Sequence, residues 1–195
     1  MMPKDFFVKN YSKCWKFIKE SRNFIYIVTS VFFLFVLIGF FVPVPDYLAD
    51  EIMKILAELI RKTEGMSQFE LIRFIFLNNT QSSILAMILG IFFGVFPIVF
   101  SAFNGYVLGF VALMASNSGG IGVLWKILPH GIFELPAIFV ALGLGLKLGM
   151  FIFQKQKKKS FKNYIYETAR VLVFVIIPLL IIAAIIEGSL IILTK

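Results

Sequence analysis

No charged residue interrupts the chain between Phe24 and Val42, and none does between Phe74 and Ala115. The first run matches the roughly 20 residues that a helix needs to cross a hydrocarbon core about 30 Å thick, and the second is too long for one crossing. Such runs point to lipid as the solvent. Composition agrees: 59% of the residues are hydrophobic and only 15% charged, against about 25% charged in an average soluble domain. The expected fold class is all-α, a polytopic transmembrane helix bundle of about five spans with one extracytoplasmic amphipathic helix. A single integral membrane domain covers residues 1–195.

The charges set the expected direction. Lys9, Lys13, Lys16, Lys19 and Arg22 precede the first span, 24–42, which is too long for a signal-peptide core and ends at Pro43 and Pro45 without a small-residue cleavage pattern. The positive-inside rule then keeps the amino terminus cytoplasmic. Residues 46–65 read as an amphipathic helix, with Leu48, Ile52, Ile55, Leu56 and Leu59 on one face and Asp50, Glu51, Lys54 and Glu58 on the other. It lies on the outer surface of the membrane or covers the bundle. Ser67 and Glu70 have capping-box spacing and announce the next helix.

Gly94 and Pro97 divide the long apolar run into spans 74–94 and 97–116. A fourth span is expected over 121–149, a cytoplasmic basic loop over 154–163 with Lys155, Lys157, Lys158, Lys159 and Lys162, and a fifth span over 170–193. Counting crossings from an inner amino terminus returns this lysine run to the inside and leaves the carboxyl terminus outside. The expected localisation is therefore the cell membrane, multi-pass, with the bilayer as a partner. The net charge of +8 is assigned to topology and to contact with anionic lipid, not to nucleic acid. Cys14 is the single cysteine, so no intrachain disulfide can form.

Polar side chains inside a span cost free energy unless they are partnered, which makes each a candidate site residue. These are Asn78, Asn79, Gln81, Asn104, His130, Glu134 and Glu187, the last near the outer end of its span, where it can snorkel. Helical rise places Glu134 roughly 18 Å below the outer surface if its span starts near Gly122, and Asn104 roughly 10 Å above the inner one. His130, four residues before Glu134, shares its face one turn nearer the outside. One intramembrane polar cluster is thus expected: Asn104 and Glu134 below, His130 with Asn78, Asn79 or Gln81 above.

Pro129, Gly131 and Pro136 around that pair predict a kinked or broken helix, as at transporter sites. The pair is read either as a hydrogen-bonded lock on helix register or as a path for protons, cations or a small solute. One histidine and one glutamate are too few ligands for a closed zinc site, and no His-Glu-x-x-His is present. No metal, cofactor or catalytic residue is expected, and the chain is not read as an enzyme. Gly90 and Gly94, Gly105 and Gly109, and Gly145 and Gly149 each form Gly-x-x-x-Gly, which predicts close helix packing within a tight bundle or in a homodimer.

Three blocks resemble the stage II sporulation protein M family: Asn78-Asn79, then Phe103-Asn104-Gly105 with Leu108-Gly109, then Pro129-His130-Gly131-Ile132-Phe133-Glu134-Leu135-Pro136-Ala137. The resemblance covers most of the chain in span order and implies an all-helical membrane protein of about five spans. The best known members of that family hold peptidoglycan-remodelling partners in a membrane complex during engulfment. What the resemblance implies here is a role type, a scaffold that assembles or stabilises membrane protein partners. A small transporter or channel built on the His/Glu/Asn cluster is the alternative.

Overall fold

The structure is a computed structural model that describes residues 3–119 and 128–193, with side chains over 5–117 and 134–192. Every regular element among the described residues is helical: α1 (Pro3–Glu20), α2 (Arg22–Phe41), α3 (Asp46–Thr63), α4 (Gln68–Leu89), α5 (Val95–Gly119), α6 (Leu128–Gly149), α7 (Lys157–Val171) and α8 (Ile177–Leu193). Short 3-10 and π turns, Met150–Phe153 and Leu172–Ile176, follow α6 and α7.

Four helical stretches are long and apolar enough to cross a membrane: Arg22–Phe41, Val95–Asn117, Glu134–Phe153 and Lys157–Ile192. At 22 residues α4, expected as the second span, has the length. Its middle, however, reads Asn78-Asn79-Thr80-Gln81-Ser82-Ser83, and Glu70 and Arg73 open it, so it falls short on apolarity. It nevertheless lies along the bundle. Glu134 and Asn79 line one pocket at one end, while near the other end a Cβ on Gly90 would lie 2.5 Å from the Gly145 carbonyl carbon. Thus α4 and α6 run parallel. Phe32 of α2 meets Phe139 of α6, Gly105 of α5 meets Phe32, and Glu187 of α8 meets Glu134, which makes α2, α5 and α8 antiparallel to them. Direction therefore alternates along the chain from α2 through α4, α5 and α6 to α8.

At the centre is α6, buried almost throughout residues 141–149, with α2, α4, α5 and α8 packed around it. Small residues permit this. Ala137, Ala141, Leu144, Val171, Ile176 and Leu180 form one core cluster, and Val28, Ala86, Leu142 and Leu146 a second. Added Cβ atoms would lie 2.8 Å from the Ala86 carbonyl oxygen at Gly145, 2.8 Å from Gly94 Cα at Gly149, 3.0 Å from the Phe32 carbonyl carbon at Gly105 and 2.9 Å from that of Val36 at Gly109. These glycines make their close approaches inside one chain. Dispersion and backbone proximity, the forces available to helices in lipid, hold the bundle there.

Three local expectations change. The chain at 154–163 is not wholly a loop: Lys157 begins α7, and the π turn fuses α7 and α8 into one helical run. The expected break around Glu134 is absent. Pro129 lies in the first turn of α6, where a missing N–H costs nothing, and the helix continues through Pro136. The basic amino-terminal segment is itself a helix, α1, which bends at Ser21 into α2 and packs along α7 and the π turn.

Candidate functional site

A cavity of about 550 Å³ opens at the end of the bundle where α4 and α6 begin and α8 finishes. That volume suits a small ligand. On α4, Leu71, Ile75, Asn78 and Asn79 share a helix face by their spacing, so an apolar wall passes into two amides. Glu134 enters from α6, Glu187 and Ile191 from α8 one turn apart, and Leu59, Ile60, Thr63 and Glu64 of α3 form the rim.

Glu134 and Glu187 share a hydrogen bond. A carboxylate only accepts, so such a bond requires one proton between the two groups. Beside them α4 and α8 are tied together. Gln68 Nε2 donates to Ser189 Oγ at 3.0 Å, and Ser189 Oγ donates to the Ile185 carbonyl at 2.7 Å. The capping box closes the start of α4, with the Ser67 backbone N–H donating to Glu70 Oε2 at 2.9 Å and the Glu70 N–H returning to Ser67 Oγ at 3.4 Å. Its hydrogen bonds from Ser67 hold the Glu70 carboxyl below its usual range.

The polar residues singled out from sequence divide into two sets. Asn78, Asn79 and Glu134 come together in the pocket. Asn104 does not: it is exposed on α5, its Nδ2 donating to the Phe100 carbonyl of its own helix at 2.8 Å. Gln81 is exposed and absent from the lining. The side chain of His130 lies outside the described residues. Glu187, read as a snorkelling residue, turns inward to Glu134. The depth argument erred by placing the start of the fourth span near Gly122. Since α6 starts at Leu128, Glu134 stands only about 9 Å along it, at the level of the end of α8.

The sequence reading also passed over Lys147, which is 6% exposed. At the end opposite the pocket its Nζ donates to Ser21 Oγ at 2.9 Å and lies 4.0 Å from the Phe17 ring centroid and 5.3 Å from that of Tyr164. This buried cation pins α1, α6 and α7 together. The available signal was a lysine inside an otherwise apolar span. Nearby, Arg170 pairs with Glu167 and stacks 4.6 Å from the Tyr166 ring centroid. Among the described residues no group of three or more His, Cys, Asp or Glu could hold a metal ion.

The family profile described as Stage II sporulation protein M matches residues 28–190, from within α2 to within α8. An uncharacterized protein of Methanocaldococcus jannaschii is 31% identical over 175 residues, which is 87% of this chain and 78% of that relative. No solved structure matches the chain. On the extent of these matches, the chain belongs to the stage II sporulation protein M family.

Proposed function

We propose that this is a small transport protein of the cell membrane, which binds a proton, a cation or a small solute at Glu134, Glu187, Asn78 and Asn79. The observation that carries the reading is the pocket itself: an open, ligand-sized cavity that brings two facing carboxyl groups and two amides together inside a membrane bundle. Intramembrane ionisable groups lining a cavity are the usual mark of an ion or proton path. In this reading α4 is the second of five crossings, the amino terminus and the lysines of α7 face the cytoplasm, and the pocket and carboxyl terminus face outward. Closure of the inner half by the glycine contacts makes the described state open to one side only. No catalytic step is involved.

Proteoliposome flux tests this. Wild type is expected to move protons or a monovalent cation, and Glu134→Gln and Glu187→Gln each to lower the rate by tenfold or more while the protein still folds. Absence of flux in wild type would overturn the reading.

A scaffold for membrane protein partners is the second reading, favoured by the apolar side of α3. Ile55 and Ile60 are 55% and 67% exposed beside the pocket rim, a surface that a partner helix could cover. On that account the protein copurifies with membrane partners, and it does so equally well as Glu134→Gln.

A further inference from the structure

At the end of the bundle away from the pocket, α1 and α7 lie against each other. Phe17 meets Tyr164 with ring centroids 6.3 Å apart. Phe6, Phe7 and Tyr11 surround Phe174 in the π turn, at 6.1, 6.2 and 5.9 Å. Cys14 and Phe17 fill the inner face of α1. Its outer surface carries two stripes. Val8, Tyr11 and Trp15 recur at i, i+3 and i+7 and are 67%, 49% and 61% exposed. Lys9, Lys13 and Lys16 recur at i, i+4 and i+7, also exposed. A helix with lysines on one side and Trp, Tyr and Val on another has the makeup of one that lies in a membrane interface.

The charge on α7 points the same way. Lys157, Lys158, Lys159 and Lys162 crowd its opening turns with no acidic residue in the first, where the helix dipole already presents positive charge. Left alone, that arrangement is unfavourable. None of these lysines, nor Lys9, Lys13 or Lys16, makes an ion pair among the described residues. The one acid on α7, Glu167, is taken by Arg170. Exposed Phe153 and Tyr166 border the lysines, 72% and 63% accessible.

We propose that α1 and the start of α7 together form a docking surface for an anionic phospholipid leaflet. Trp15, Tyr11 and Val8 sit among the upper acyl chains, and the lysines of both helices engage the headgroup phosphates. Charge complementarity selects the occupant: a surface this basic and aromatic, joined directly to membrane spans, faces a negatively charged interface at close range. The surface is independent of the pocket and of the transport reading.

The chain has two tryptophans, so Trp125→Phe leaves Trp15 as the only indole. This variant is reconstituted in bilayers of equimolar phosphatidylglycerol and phosphatidylcholine, with brominated acyl chains carried by one lipid or the other. Brominated phosphatidylglycerol is expected to quench Trp15 more strongly than brominated phosphatidylcholine. The difference should vanish when Lys9, Lys13, Lys16, Lys157, Lys158 and Lys159 are replaced by glutamine, and should persist with Lys54→Gln and Lys62→Gln on α3. Equal quenching by the two lipids in the starting protein, a difference that survives the six lysine substitutions, or no quenching by either lipid would each overturn the proposal.

Discussion

Gly90 shows how much of this bundle rests on single missing methyl groups. It faces Gly145, and an added Cβ would lie 2.5 Å from a backbone carbonyl carbon that no rotamer change can move. Gly90→Ala is therefore expected to cost about 1–3 kcal/mol, the range for overpacking a close-packed interior. Thermal unfolding in detergent would show the loss. Gly65 is the natural comparison: nothing lies within 4 Å of a Cβ there, and only its φ of +76° opposes substitution. An equal effect at both positions would mean that helix contact is not what Gly90 supplies. Residue types and spacing made these glycines legible in the sequence. Which helix each one meets was not, because Gly-x-x-x-Gly encodes a close approach without naming a partner. The same limit applies to Glu187. Its type marked it as unusual, but its contact with Glu134 depends on where two distant helices start and stop.

Among the elements, α4 and α8 position the pocket. The Ser67–Glu70 capping box fixes the start of α4, and Ser67→Ala should cost about 1 kcal/mol. The pH dependence follows from the lowered pKa of Glu70. Stability from the box is present above the ordinary carboxylate range and is lost as pH falls through the folded value. Melting curves of Ser67→Ala and wild type should therefore converge toward acid pH. In α8 the decisive feature is the π turn Leu172–Ile176, which inserts one residue into an otherwise continuous helix. Deleting Val173 should restore α-helical register and rotate the rest of α8 by about 100°, carrying Glu187 away from Glu134. Cysteines at 134 and 187, in a Cys14→Ser background, should cross-link with a short bifunctional reagent in the full-length chain and fail to do so after the deletion. Sequence periodicity revealed α3, the capping box and the long apolar helices. The π turn left no such trace, since Leu-Val-Phe-Val-Ile is uniformly apolar and reads as uninterrupted helix. Helix α1 was hidden for another reason: its lysines were explained by topology, and the amphipathic pattern beneath them went unread.

Across the whole molecule the two ends differ in chemistry. One holds the polar pocket, with acidic and amide groups under the rim of α3. The other holds α1 and α7, with their unpaired lysines and the buried cation of Lys147. Glycine-mediated packing of α6 against α4 and α5 lies between them. The all-helical membrane architecture was legible because apolar run length is a direct physical requirement of the bilayer. The pocket was legible only in part: Asn78, Asn79 and Glu134 were identified, whereas equal depth alone wrongly drew in Asn104, which faces away on α5. Depth along the membrane is readable from sequence, but rotation around the bundle is not.

The most direct test of a pocket open to one side is labelling by a membrane-impermeant maleimide in sealed, oriented vesicles of the Cys14→Ser protein, with one cysteine at Asn78 and, separately, one at Lys158. The account predicts that the cysteine at position 78 reacts from the extracytoplasmic face only and the cysteine at position 158 from the cytoplasmic face only. Protection of position 78 from both faces, or labelling of both positions from the same face, would contradict it.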